Sequence, residues 1–99
     1  MPKRRYKFYV YIMASPTGTL YTGMTNNLQV RTIQHKEKIN DGFTKQYSCN
    51  KLVYYEEHQY VYNAIEREKE IKDWPRKRRE ELIKTINPHW NDLSQYLGQ

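Results

Sequence analysis

Residues 8 to 23 contain the pattern that most restricts the fold, two runs of strand-forming residues separated by a short turn. Phe8–Met13 is rich in aromatic and β-branched residues, and Thr19–Thr22 has the same character. The intervening segment Pro16–Gly18 is typical of a turn, because proline presets φ and glycine accepts a positive φ. The sequence therefore predicts a β-hairpin. Its strands carry Tyr11 and Tyr21, which share one sheet face if the register allows.

Three helices and one further strand are predicted after the hairpin. Asn40-Asp41-Gly42 marks a loop that continues to about Asn50, and Trp74-Pro75 separates the second helix from the third, since proline disfavours helix at the preceding residue. The predicted order is ββαβαα, an α/β (α+β) fold with a small, mainly antiparallel three-stranded sheet flanked by helices. The elements predicted after the hairpin are a helix over about Leu28–Lys38, a strand over Leu52–Glu56, helices over Val61–Asp73 and Pro75–Ile86, and a tail that docks through Trp90, Leu93 and Leu97.

Length and charge restrict the class of protein. The 99 residues predict a single domain, residues 1–99. Seventeen Lys and Arg against eleven Asp and Glu give a net charge of +6, which favours a polyanionic partner. The single cysteine, Cys49, excludes an internal disulfide and fits a reducing compartment. No apolar run approaches the length of a membrane span. We expect a cytoplasmic protein.

The second predicted helix carries a carboxylate on its apolar face. Val61, Ala64, Ile65 and Ile71 lie on one side of the helix, and Glu68 stands in the middle of that stripe. A carboxylate on a buried stripe is costly unless it is paired or binds a metal. Two interpretations stay open: a functional glutamate, or a glutamate at the edge of the stripe that pairs with Lys72 four residues on. The neighbouring charged residues Glu66, Arg67, Lys69 and Glu70 predict a solvated face with ion pairs along the helix.

The first predicted helix places Leu28, Arg31 and His35 on one face. If Leu28 points to the core, Arg31 lies close to the core margin, where its planar fork of donors suits a phosphate. The alternative is a surface arginine whose stem covers apolar area. His35 is a donor, a base or a surface histidine.

Taken together, these residues resemble the GIY-YIG nuclease superfamily. The segments YVY (residues 9–11) and YTG (residues 21–23) are similar to its two name-giving motifs. Arg31, His35 and Glu68 stand where the family carries its arginine, a His or Tyr, and its metal-binding glutamate. The resemblance runs from about Tyr9 to Leu93, with a motif-bearing core of about residues 8–93. It is strongest to the small stand-alone, single-domain members.

There are departures from the family pattern. Tyr9 stands where the first motif has glycine, and Thr22 where the second has isoleucine; both are usual in the small members. Met24 replaces a lysine of the excision-repair nucleases.

The resemblance implies a metal-dependent endonuclease that cleaves DNA, with a role in repair or recombination. It implies catalytic roles for Tyr11, Tyr21, Arg31, His35 and Glu68. One Mg²⁺ or Mn²⁺ ion would bind Glu68, because Mg²⁺ takes oxygen ligands and keeps several waters. Tyr11 is the expected base, with Tyr21 oriented toward the water or phosphate; the sequence leaves the two exchangeable. The alternative function is a nucleic-acid-binding module that keeps the fold but has little activity without a partner.

Basic residues outside these motifs are candidates for phosphate contacts, which give affinity without sequence readout. For Arg76–Arg79 the alternative is the solvated face of a helix. The adjacent Tyr54 and Tyr55 are either strand core or a platform for base stacking. The predicted nucleic-acid-binding residues are Lys45, Lys72, Arg76, Lys77 and Arg79.

Overall fold

The computed structural model of the chain describes residues 7–37 and 49–97. Within these two ranges the elements follow the predicted order ββαβαα, and a 3₁₀ helix comes after them. None of the helices in this part of the chain has both the length and the apolarity needed to cross a membrane. The elements are β1 (Phe8–Ala14), β2 (Leu20–Thr25), α1 (Leu28–Glu37), β3 (Lys51–His58), α2 (Val61–Asp73), α3 (Arg76–Ile86) and the 3₁₀ helix (Leu93–Tyr96).

The three strands form one antiparallel sheet with β1 in the centre, in the order β2-β1-β3. The register of the hairpin sets Tyr11 opposite Gly23 and Met13 opposite Tyr21. Because side chains alternate along a strand, Tyr11 and Tyr21 project from the same face as diagonal neighbours. The expectation that the hairpin tyrosines share a face is confirmed.

Pairing with β1 makes both outer strands longer than predicted. The predicted second strand ended at Gly23, but Thr25 pairs with Tyr9. The predicted third strand ended at Glu56, but His58 pairs with Phe8. Each outer strand continues as long as the central strand offers it partners.

Local polar chemistry fixes the turn and the start of the first helix. Gly18 has φ of +93°, and its N–H donates to the Ser15 carbonyl at 3.0 Å, as the turn prediction requires. At the start of α1, the Asn27 side-chain oxygen accepts the N–H of Val30 at 3.1 Å. The third helix begins at Arg76, one residue later than predicted, because Pro75 stays extended with ψ of 155°.

One face of the sheet holds the larger apolar cluster, under α2 and α3. Trp90 packs against the margin of this cluster. Val10, Ile12 and Ala14 alternate along β1 and form the centre of this cluster. Polar residues also lie on this face, because Thr22 pairs with Ile12 and Glu56 pairs with Val10. The cluster comprises Val10, Ile12, Ala14, Leu20, Val53, Tyr54, Ala64, Ile71 and Ile83.

The opposite face is covered by α1 and by the tail. Its buried cluster comprises Tyr11, Met13, Leu28, Cys49 and Leu52, with Leu93 and Leu97 packed on its edge. Docking of the tail through its three predicted residues is confirmed, with Trp90 on one face of the sheet and the two leucines on the other.

Asp92 ties this tail to the rest of the domain. Its carboxylate accepts the N–H of Leu52 at 3.2 Å, the N–H of Ser94 at 3.0 Å and the ammonium of Lys36 at 2.6 Å. Burial alone would raise the pKa of Asp92, but these hydrogen bonds outweigh burial and hold the pKa below its ordinary value. One side chain thus joins α1, β3 and the 3₁₀ helix.

Candidate active site

Tyr11 lies at the centre of a polar cluster between the sheet and α1. Its side chain is almost fully buried, with 1% exposed. Its hydroxyl lies 2.8 Å from Nε2 of His35 and accepts a hydrogen bond from Nε of Arg31 at 3.2 Å. A guanidinium only donates, so the hydroxyl hydrogen of Tyr11 remains available for an unprotonated Nε2 of His35.

The spacing of residues on α1 produces this cluster. Leu28 is buried against the sheet, as predicted, and this brings Arg31 and His35 over the tyrosines. His35 is only 2% exposed, which rules out the interpretation of a surface histidine. Its position seven residues after Leu28 places it two turns along the same face.

The guanidinium group of Arg31 makes hydrogen bonds through two of its nitrogens. Its Nε donates to Tyr11, and its Nη1 donates to the side-chain oxygen of Gln34 at 3.2 Å. Burial alone would lower the pKa of Arg31, but interactions with the hydroxyls of Tyr11 and Tyr21 outweigh burial and raise it. Arg31 is therefore a fixed, permanently charged group at the cluster, which favours the phosphate-directed interpretation over that of a surface arginine.

Tyr21 completes the cluster from β2. Its ring centroid lies 6.3 Å from that of Tyr11 and 5.1 Å from that of His35. Its side chain is half-buried, whereas Tyr11 is buried. The two tyrosines therefore have different access to a substrate: Tyr21 lies nearer the solvent, and Tyr11 lies behind it in contact with His35.

Gly23 is a site residue that the sequence reasoning noted only as part of a motif. A Cβ added at Gly23 would lie 2.6 Å from the Tyr11 hydroxyl and 2.9 Å from the Tyr21 ring. Any other residue at this position would displace the Tyr11 side chain. The available signal was the antiparallel register, which sets this glycine directly opposite Tyr11.

Glu68 stands on α2, which packs against the other face of the sheet. Its side chain is 22% exposed and pairs with Nζ of Lys72 at 3.0 Å. Ala64 and Ile71 are the buried residues of this helix, so Glu68 lies at the margin of the apolar stripe rather than in its middle. The predicted ion pair is present, and no described residue other than Lys72 forms an ion pair or a hydrogen bond with Glu68.

Residues 7–81 match the sequence pattern of the GIY-YIG catalytic domain. The chain belongs to the GIY-YIG family. The match covers more than half of the chain and includes both tyrosine motifs, Arg31, His35 and Glu68. The family is one of nucleases.

The chain is also similar to curated relatives and to a solved structure. A UPF0213 protein of Staphylococcus saprophyticus is 35% identical over 77 residues, which cover 78% of this chain and 94% of the relative. A UPF0213 protein of Natronomonas pharaonis is 33% identical over 75 residues, covering 76% and 88%. The solution structure of a UPF0213 protein from Bacillus halodurans has the same fold, with a TM-score of 0.58 and 22% identity over 94% of this chain and 99% of that one.

The basic residues predicted to bind nucleic acid have different partners and different exposure in this GIY-YIG domain. Lys72 pairs with Glu68, and Arg76 pairs with Glu80 at 3.0 Å and donates to the Gly18 carbonyl. The remaining predicted contacts fall into three cases: Lys77 is exposed, Arg79 is half-buried, and Lys45 lies outside the described residues.

Arg67 was predicted to lie on a solvated face with ion pairs along the helix; its ion pair with Glu70 is present at 2.7 Å, but its side chain is half-buried. Its Nε donates to the Glu56 carboxylate at 3.0 Å, and its guanidinium stacks over Trp74, 5.1 Å from the ring centroid. Burial alone would raise the pKa of Glu56, but hydrogen bonds from Tyr54 and His58 and the charge of Arg67 outweigh burial and lower it. This network fixes α2, the helix of Glu68, against β3.

A cleft of about 480 Å³ lies beside the tyrosine cluster on the α1 face of the sheet. Its wall includes Tyr9, two residues before Tyr11, and Leu28, one turn before Arg31. Sequence reasoning did not identify the cleft, because its wall comes from β1, β3, the start of α1 and the tail. The lining residues are Lys7, Tyr9, Asn26, Asn27, Leu28, Gln29, Tyr55, Glu57 and Leu97.

Proposed function

We propose that this protein is a metal-dependent endonuclease that hydrolyses DNA phosphodiester bonds, acting on branched, flapped or damaged DNA in repair or recombination. The observation that carries the proposal is the hydrogen-bonded cluster of Tyr11, His35 and Arg31 with Tyr21 beside it. A role in stability alone does not require a buried tyrosine hydroxyl between a permanent cation and an imidazole. A base for water and a cation for phosphate explain both.

The cluster provides a path for the proton of the attacking water. A free tyrosine has a pKa of about 10 and is a poor base at neutral pH. The contact with His35 at 2.8 Å lets Tyr11 pass its own proton to Nε2 as it accepts one from water. The water oxygen then attacks phosphorus, and the bond to the 3′ oxygen breaks. This contact supports Tyr11 as the base; because Tyr11 is enclosed behind Tyr21, Tyr21 would have to move aside to admit the attacking water.

Arg31 would stabilise charge during that attack. Its position is fixed by hydrogen bonds to Tyr11 and Gln34, so it needs little reorganisation when negative charge builds on phosphate oxygens. Tyr21, nearer the solvent, would donate its hydroxyl to the phosphate or the attacking water.

Glu68 is the residue that would hold a divalent ion, Mg²⁺ or Mn²⁺. Its carboxylate fits the ion, because it is partly exposed and its partner Lys72 is half-exposed and displaceable. No cluster of three or more metal-ligating side chains occurs among residues 7–37 and 49–97, so water and substrate oxygens would complete the coordination. Bound there, the ion would supply Lewis-acid stabilisation of negative charge on a substrate oxygen.

The test is cleavage of a labelled DNA panel, namely duplex, single strand, flap and four-way junction, with Mg²⁺ or Mn²⁺. Wild type is compared with Glu68→Ala and Tyr11→Phe, and binding is measured in parallel without metal. We expect wild type to cut at least one substrate, while both variants bind it and cut at least about 100-fold more slowly.

Tyr62→Phe is the matched control for Tyr11→Phe, because Tyr62 lies on α2 with 77% of its surface exposed. It should cut like wild type. If every protein binds DNA equally and none cuts any substrate with either metal, the nuclease proposal is wrong, and a binding module that needs a partner becomes the better description.

A further inference from the structure

We propose that the cleft beside the tyrosine cluster binds one unpaired nucleobase of the substrate strand. This inference rests on the proposed function, since it assumes that the substrate is nucleic acid. It adds a preference for DNA in which a base near the cleaved bond is already unstacked, as in a flap or a single strand.

The wall of the cleft is partly aromatic and partly apolar. Tyr9 and Tyr55 border it, with ring centroids 6.3 Å apart at an interplanar angle of 69°, so their rings lie edge to face. Leu28 and Leu97 add apolar surface. A flat aromatic ring is the ligand that suits such a wall, because every base has a π-face that stacks on tyrosine.

Two side-chain amides also lie at the cleft. Asn26 and Gln29 line it, and their side-chain amides make no hydrogen bond within the described part of the chain. Asparagine and glutamine amides donate and accept at once, and they pair with the edges of bases. Asn27, by contrast, is engaged in capping α1.

The charges at the cleft favour a base over a phosphate as its occupant. The charged residues of the cleft are Lys7 and Glu57, which pair with each other at 3.7 Å. The Glu57 carboxylate also accepts a hydrogen bond from the Tyr9 hydroxyl at 3.4 Å. A carboxylate against the ring disfavours a phosphate and leaves a neutral ligand as the better occupant.

The cleft also lies close to the tyrosine cluster. Tyr9 and Tyr11 point to the same face of β1, two residues apart, which is a separation of about 7 Å along a strand. Leu28 borders the cleft and also packs beside Tyr11 in the buried cluster. A strand whose phosphate lies at Arg31 therefore has a neighbouring base within reach of Tyr9. The volume of about 480 Å³ lies within the usual range of ligand clefts.

Two probes of equal length and charge test the proposal: a single-stranded DNA 12-mer and a 12-mer of abasic deoxyribose phosphates. Binding is measured without divalent metal, so the result does not depend on cleavage. Wild type should bind the base-bearing strand about 5- to 100-fold more tightly than the abasic strand, which is the range for stacking of one base on an aromatic ring. Tyr9→Leu should bind the two strands with affinities within a factor of about two.

Tyr9→Phe keeps the ring and should keep the preference, and Tyr62→Leu removes an exposed tyrosine elsewhere and should keep it too. Equal binding of both strands by wild type overturns the proposal without any variant, so a poorly folded Tyr9→Leu does not block the test. The proposal is also overturned if Tyr62→Leu abolishes the preference for the base-bearing strand as fully as Tyr9→Leu does. Preference without cleavage on the DNA panel contradicts only the nuclease proposal; cleavage without preference contradicts only the base-binding cleft.

Discussion

Gly23→Ala is the substitution whose effect follows most directly from the geometry. The new Cβ would lie 2.6 Å from the Tyr11 hydroxyl oxygen and 2.7 Å from the ring carbon that bears it. Tyr11 is fully enclosed and cannot move outward. The ring must therefore shift, which disturbs the geometry of its hydrogen bonds with His35 and Arg31.

The magnitude has two parts. Overpacking a well-packed core usually costs about 1–3 kcal/mol. Weakening the two hydrogen bonds of the Tyr11 hydroxyl adds about 1 kcal/mol. We expect Gly23→Ala to lower the free energy of unfolding by about 2–4 kcal/mol, which for a domain of this size lowers Tm by about 10–25 °C. Cleavage should fall by about 100-fold even where the variant is folded, because the displaced hydroxyl no longer meets the substrate correctly.

The assay is urea unfolding followed by tryptophan fluorescence, with cleavage measured at a temperature at which both proteins are folded. Gly18→Ala is the matched control. Gly18 has φ of +93°, so alanine there costs about 1–2 kcal/mol of strain, but its Cβ meets only the end of the Arg76 side chain at 3.3 Å. It should lose stability and keep its cleavage rate. A Gly23→Ala protein as stable and active as wild type would refute the claim that this glycine holds Tyr11 in place.

Three further predictions concern charged groups. Arg31→Lys should slow cleavage by about 10²–10³-fold, since an ammonium cannot reproduce the fork that contacts Tyr11 and Gln34; single-turnover rates test this. Glu68→Gln should change the unfolding free energy by less than about 0.5 kcal/mol, because its partly exposed and solvent-screened pair with Lys72 contributes little, while cleavage is lost. Ionised Asp92, with its folded-state pKa below the ordinary value of 3.8, stabilises the fold above that pH and loses this contribution as the pH falls through the folded-state pKa. Asp92→Asn should therefore flatten the decline in stability below about pH 4, as measured by urea unfolding at several pH values.

Each of these predictions has a clear contrary result. Full cleavage by Arg31→Lys would mean that charge alone suffices at this position. A large stability loss in Glu68→Gln would mean that the carboxylate is structural. If stability declines below about pH 4 in Asp92→Asn as it does in wild type, other carboxylates dominate acid unfolding. Glu56, whose pKa is also lowered, would be the next to test.

The order of elements was predictable because each element is marked by local chemistry. Proline and glycine mark the hairpin turn, Asn27 caps the first helix, and Trp74-Pro75 separates the last two. The limits of β2 and β3 were less predictable. A strand ends where its partner ends, and the partner of both strands is β1.

Helical and strand periodicity predicted the faces on which Tyr11, Tyr21, Arg31 and His35 lie, and the resemblance to the family named these residues as candidates. Their hydrogen bonds were not, because Tyr11 and His35 are 24 residues apart in the chain and meet only when α1 packs on the sheet. The same holds for Arg67, whose helical position looks solvated until Glu56 of β3 comes to lie beneath it.

The amino-acid sequence thus specified which elements form and which helix and strand faces are mainly apolar, since these depend on neighbours a few residues away, and its resemblance to the family supplied the candidate site residues. Packing alone determined that Tyr11 touches both Arg31 and His35, that Gly23 must lack a side chain, and that a cleft opens beside Tyr9. These features join residues from separate elements, and no local pattern records the distance between two elements. That distance is set by how their side chains fill the space between them.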